Sequence, residues 1–262
     1  MKINLMMAGA ATLLLAACSP QNQNTQDISA ANAQTAIYGG DDVQASDVIA
    51  TTTVGLYNKK AGYLCTGSLY GKNMVITAAH CLEGSASDIE VRFGVDMRHP
   101  SVTRRVVSGQ RNSGYTGEIK QNMGDVSLLK YEGTLPPGFT SAPILTDYRG
   151  LSAGAKIVAA GYGISAPSRG SGEGILRKIT LKVKDAGYSS TEISVDQGLF
   201  NGVCSGDSGG PAFVKGNDGK LYLWGVTSNG AGIPVLRPCM FFAVFTRVDS
   251  YMSWITNLAG RL

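Results

Sequence analysis

Cys204-Ser205-Gly206-Asp207-Ser208-Gly209-Gly210-Pro211 is the richest stretch of the chain, and the reading of its serine decides the fold. Glycines on both sides of Ser208 let the backbone approach another molecule closely and let amides converge on one point, as stabilising an oxyanion requires. A Gly-Asp-Ser-Gly loop alone could equally be an inert turn. A nucleophilic serine needs a base, and the base needs an orienting carboxylate. The sequence holds only 2 histidines. His80 ends the apolar run Val75-Ile76-Thr77-Ala78-Ala79-His80-Cys81, whereas His99 lies among charges and turn formers in Arg98-His99-Pro100 and reads as a surface loop residue.

Chain order separates the candidate folds. Gly206-Asp207-Ser208-Gly209-Gly210 also fits the Gly-x-Ser-x-Gly elbow of α/β-hydrolases, but that fold places its histidine after the serine, and no histidine follows residue 99. A subtilisin-like order of Asp, His, Ser could use Asp41, Asp42 or Asp47, but it belongs to an α/β architecture. The apolar segments here are short and bounded by Gly, Pro, Asn or Ser: Tyr63 to Leu69, Met74 to Thr77, Ile89 to Phe93, Val126 to Tyr131, Lys156 to Ala160, Ile179 to Val183, Tyr222 to Val226 and Met240 to Val244. Their β-branched and aromatic content predicts an all-β sandwich or barrel. One helix is expected near the C-terminus, capped by Asp249, carrying Tyr251, Met252, Trp254, Ile255 and Leu258, and ending before Gly260.

Composition bounds the rest. The 262 residues are 44% hydrophobic and 16% charged, which is globular and excludes wholesale disorder. A net charge of +4 without a dense basic run leaves little footprint for nucleic acid. No Cys-x-x-Cys or His-x-x-x-His spacing occurs, so no zinc framework, other metal site or cofactor is expected. The 5 cysteines, at 18, 65, 81, 204 and 239, leave one over if four are bridged.

Residues 1 to 17 combine Lys2 with an uncharged apolar stretch from Leu5 to Ala17, too short for a span of roughly 20 residues and right for an export signal. Leu15-Ala16-Ala17-Cys18 resembles the bacterial lipobox, which implies cleavage before Cys18 and lipid on that cysteine. Without Asp at position 19, the anchor would face the outer membrane in a Gram-negative envelope. Ser19 to Ala36 is polar with one charge, Asp27, and reads as a flexible tether spanning on the order of 25 Å.

From Ile37 to the C-terminus the chain resembles the chymotrypsin-fold, trypsin-like serine proteases. Thr77-Ala78-Ala79-His80-Cys81 matches the histidine motif, Gly124-Asp125-Val126-Ser127-Leu128-Leu129-Lys130 the aspartate motif, and Gly206 to Pro211 the serine motif. Weaker matches are Cys65-Thr66-Gly67-Ser68-Leu69, Val91-Arg92-Phe93-Gly94, Ala160-Gly161-Tyr162-Gly163 and Phe245-Thr246-Arg247-Val248. The resemblance implies two antiparallel six-stranded β-barrels with a C-terminal α-helix, a monomer, and an endopeptidase acting on proteins or peptides.

It also implies roles. Ser208 would be the nucleophile, His80 the base, Asp125 its orienting partner, and the Gly206 and Ser208 amides the oxyanion hole. Cys65 would pair with Cys81 and Cys204 with Cys239. A new N-terminus at Ile37, made by an activating protease cutting after Ala36, would pair its ammonium with Asp207, so the uncut chain would be a zymogen. Trypsin-like activators prefer Lys or Arg there, so Ala36 points to a protease favouring small residues or to self-cleavage. Such a cut would free the body from Cys18. The primary pocket would be formed by Gly202, Val203, Ser228, Gly230 and Ala243. Gly202 stands where enzymes that cut after Lys or Arg carry Asp, so an apolar residue such as Leu, Met, Phe or Tyr is expected there. Asn229 replaces the usual Trp. The rival expectation is a protease-fold binding protein without activity.

Overall fold

Among the described residues the chain forms thirteen strands, most of them short and bounded by glycine or polar turns. The computed structural model describes residues 37–166, 169–199, 201–233 and 237–262. The expected signal peptide and tether, with Cys18, lie outside the described residues, which all belong to one unit, Gln34–Leu262.

The first barrel is built from β2 (Thr53–Asn58), β3 (Tyr63–Tyr70), β4 (Met74–Thr77), β5 (Ile89–Phe93), β6 (Val102–Arg111) and β7 (Ser127–Tyr131), closed in the order β2-β3-β4-β7-β6-β5. The second uses β8 (Lys156–Gly161), β9 (Arg177–Asp185), β10 (Glu192–Gln197), β11 (Pro211–Lys215), β12 (Leu221–Ile233) and β13 (Arg237–Arg247) in the order β8-β9-β10-β13-β12-β11, and closes where β11 pairs with β8. The two orders are the same, so the halves share one antiparallel topology although no repeat is visible in the sequence. Alternation explains the walls: in β5, Ile89, Val91 and Phe93 are buried while Glu90 and Arg92 are half-buried, the period of two that a strand imposes. Phe93 meets Tyr131 and Phe139 edge-on in the first core, with ring centroids 5.6 and 4.9 Å away. Trp224 and Phe245 fill the second.

Each end of the described residues reaches across to the other barrel. The short β1 (Asp41–Asp42) pairs with β9 of the second barrel, and the C-terminal helix α2 (Met252–Ala259) buries Ile255 and Leu258 in the cluster that fills the first. Asp249 does not cap that helix. It begins a 3₁₀ turn, Asp249–Tyr251, and its carboxylate accepts from Arg247 at 3.1 and 2.7 Å instead. A further short helix, α1 (Val48–Thr52), is capped by Asp47, which accepts from the Ile49 amide at 2.9 Å.

Candidate active site

The cleft between the barrels collects its residues from strand ends. His80 sits in a 3₁₀ turn, Ala79–Cys81, just after β4, and Asp125 comes just before β7, which pairs with β4. Ser208 precedes β11 in the other barrel. A disulfide from Cys65 in β3 to Cys81 holds the histidine turn, and a second joins Cys204 to Cys239. With both sulfurs of the first bridge spent, the Cys65, His80, Cys81 cluster has no thiolate to offer a metal.

Asp125 is fully buried. It accepts from the His80 amide at 3.0 Å, lies 2.8 Å from His80 Nδ1, and accepts from the Ser228 hydroxyl at 2.6 Å. Burial pushes its pKa up, but the hydrogen bond and charge of His80, with the Ser228 hydroxyl and the His80 amide, outweigh burial and hold it below the usual value. An ionised carboxylate accepts from Nδ1–H, so Nε2 keeps the lone pair and can serve as a base. His99, by contrast, is exposed and pairs with Asp96.

The loop before β11 is pinned from several sides. The Ser208 carbonyl accepts from the Thr66 amide at 2.8 Å, and the Thr66 hydroxyl donates to the Gly206 carbonyl at 2.9 Å while accepting from the Tyr162 amide at 3.1 Å. A Cβ on Gly209, at φ +78°, would lie 1.9 Å from the Thr77 hydroxyl, so no other residue fits. The Ser205 carbonyl accepts from the Ile164 amide at 2.8 Å and the Asp207 carbonyl from the Gly210 amide at 2.9 Å. A trans peptide points its N–H opposite to its C=O. The Gly206 and Ser208 amides therefore face away from those partners, and neither has an acceptor among the described residues. Ser208 is half-buried and makes no hydrogen bond to His80 in this structure. Such contacts are often long in unliganded enzymes and tighten on binding.

Beside Ser208 opens a cavity of about 300 Å3, lined by Val203, Ser228 and Gly230 of the expected pocket set, with Gln197, Thr227 and the Cys204–Cys239 bridge. Gly202 and Ala243 do not line it. Gln197 covers Gly202, where a Cβ would meet its Oε1 at 2.3 Å, and Ala243 is fully buried in the second core. Among the described residues, no charged side chain lines the cavity.

Asp207 is fully buried, and accepts from the Gly163 amide at 2.8 Å and the Cys204 amide at 2.9 Å. Burial pushes its pKa up to about 7 against the pull of those two amides and of Arg177. Ile37 is also fully buried, and the Gly202 amide donates to the Tyr38 carbonyl at 2.8 Å, which seats the start of the body beside the pocket loop. Three features of the site escaped the sequence: Thr66 as the pin between barrels, the Ser228 hydroxyl on Asp125, and Gln197 in the cavity. The quoted Cys65-Thr66-Gly67-Ser68-Leu69 motif was the only signal for the first, and the other two depend on long-range placement.

A family model described as Trypsin matches residues 37–255. Trypsin-1 of Astacus astacus is 30% identical over 213 residues, covering 74% of this chain and 86% of that relative. Granzyme M of Rattus norvegicus is 27% identical, covering 79% and 84%, and brachyurin of Leptuca pugilator 26%, covering 76% and 88%. With its two closed barrels and this match over most of its length, the chain belongs to the trypsin family of serine proteases.

Proposed function

We propose that the chain is a serine endopeptidase that hydrolyses peptide bonds through an acyl-enzyme. The observation that carries the reading is the buried Asp125 locking His80 in the tautomer whose Nε2 is basic, across the cleft from Ser208. Ser208 Oγ attacks the scissile carbonyl, and His80 takes the proton and returns it to the leaving amine. The acyl group, now held as an ester on Ser208 Oγ, is then released by water activated in the same way, which returns the proton to Ser208. The free Gly206 and Ser208 amides receive the oxyanion, a contribution of about 3 kcal/mol per donor. A lining without a charged side chain among the described residues supports cleavage after residues without a basic side chain, with apolar side chains against Val203 and the disulfide. Hydrolysis of a peptide library by the wild-type protein and not by Ser208→Ala tests this. The rival reading, a silent binding protein, draws on the missing Ser208–His80 hydrogen bond, and hydrolysis that needs Ser208 removes it.

The protein is further proposed to be made as a zymogen cut between Ala36 and Ile37. Asp207 is a buried carboxylate without a salt-bridge partner among the described residues, and a new ammonium at Ile37 would supply one. Ile37 is held at φ +45°, unfavourable for a β-branched residue, and cutting removes its preceding carbonyl and with it that strain. The export signal and Cys18 support an envelope-anchored precursor whose activation releases the body. Active protein that still carries Cys18, found by N-terminal sequencing of membrane fractions, would contradict the release.

A further inference from the structure

Gln197 ends β10, lines the cavity beside Ser208 and is 8% exposed. Its Oε1 accepts from the Val203 amide at 2.5 Å. Only the oxygen end of an amide can meet an N–H, so this contact fixes which way the side chain points. Nε2 is thereby left as a buried donor with no acceptor among the described residues. It lies on the side of the Gly230 wall, 3.8 Å from where a Cβ on Gly230 would stand. Of the other hydroxyls of the lining, Ser228 donates to Asp125 at 2.6 Å and Thr227 to the Gly210 carbonyl at 3.1 Å, Ser208 is the nucleophile of the proposed reaction, and Ser205 is an exposed residue of its loop. An unpaired buried donor is costly, and a substrate oxygen that reaches it removes the cost only in the complex.

We propose that Gln197 is a specificity-determining residue of this site, selecting peptides whose residue on the amino side of the cleaved bond carries a neutral oxygen acceptor near its tip, glutamine or tyrosine. A carboxylate would give up its water for one neutral donor, and a basic side chain would bring a donor to a donor. The inference rests on the endopeptidase reading and sharpens its apolar expectation, since Met and Phe become the poorer members of two shape-matched pairs, Gln against Met and Tyr against Phe.

Binding of such paired peptides is measured by calorimetry on the Ser208→Ala protein after cleavage between Ala36 and Ile37 by an added protease, so that discrimination does not depend on turnover. At least one oxygen-bearing peptide should bind about tenfold or more tightly than its partner, the scale of a relieved buried donor. Gln197→Leu should bring that ratio close to one. Gln197→Glu keeps an oxygen for the Val203 amide but replaces the donor, and should shift preference to an arginine peptide. Ratios are taken within one protein, so partial misfolding lowers the number of sites and not the ratio. Equal binding within both pairs, no binding of any member, or a preference that survives Gln197→Leu overturns the inference. Hydrolysis by the wild type is read separately: discrimination without hydrolysis would sink the endopeptidase reading and leave the role of Gln197 standing.

Discussion

At the scale of single residues, the site depends on a buried charge that is paid for with hydrogen bonds. Asp125 receives three, from the His80 amide, the His80 ring and the Ser228 hydroxyl. Hydrogen bonds to a charged group contribute about 1.5–3 kcal/mol each. Ser228→Ala should therefore lower kcat roughly tenfold or more, with a smaller change in KM, because the hydroxyl is spent on the base's partner although the residue also lines the cavity. Steady-state kinetics on one good peptide checks this, and an unchanged kcat would mean that His80 alone suffices to hold the carboxylate. His80, Asp125 and Ser208 were legible in the sequence because their motifs are local and their order along the chain is diagnostic. Gln197 and the Ser228 hydroxyl were not, since each acquires its place only when β10 and β12 are brought beside loops far away in sequence. Gly202 and Ala243 carry the converse lesson. Their positions in the motif suggested a pocket wall, but the Gln197 side chain occupies the space that a small residue at 202 leaves open.

At the scale of elements, strand ends and the bridges between them position the chemistry. The Cys65–Cys81 disulfide spans 16 residues and ties the histidine turn to β3. Closing a loop of that length stabilises by about 3 kcal/mol on the chain-entropy account. The double substitution Cys65→Ala, Cys81→Ala should cost on that order in denaturant unfolding, and loss of less than 1 kcal/mol would show that packing alone holds the turn. Strands with clean alternation or apolar runs, such as β4, β5 and β7, were readable to within a residue or two. β6 was not among the segments read, because Val102–Arg111 keeps only Val106 fully buried and its polar outer face hides the period. Asp249 looked like a helix cap from sequence, but a nearby Arg247 offers its carboxylate a charged partner, which competes with the backbone amides.

At the scale of the whole molecule, two barrels of one topology meet along a cleft that neither could form alone. Barrel closure demands alternation and matched strand lengths and not matched residues, so the repeat is invisible in sequence and plain in strand order. On the zymogen proposal, the uncut chain carries a cost that processing would relieve. Asp207, with a pKa pushed up to about 7 in the folded chain against about 3.9 when unfolded, binds its proton more tightly in the fold. The sign follows: below pH 4 both states are protonated and nothing is lost, and from pH 4 to 7 the uncut chain loses stability because the unfolded carboxyl ionises while the buried one must keep its proton, a loss that levels off above about pH 7. Three pKa units correspond to about 4 kcal/mol. Thermal melts of the uncut protein should show that decline, and Asp207→Asn should flatten it. After cleavage the Ile37 ammonium would pair with Asp207 and reverse the slope. A precursor whose stability rises across that range would contradict the zymogen account.

The most direct test of the account is labelling with a fluorophosphonate, read by mass spectrometry before and after cleavage between Ala36 and Ile37. The predicted result is a single adduct on Ser208 that forms in the cleaved protein, is weak or absent in the uncut one, and disappears in His80→Ala. A cleaved protein that takes no label, or one that takes it equally well without His80, would contradict the claim that His80 and Asp125 activate Ser208.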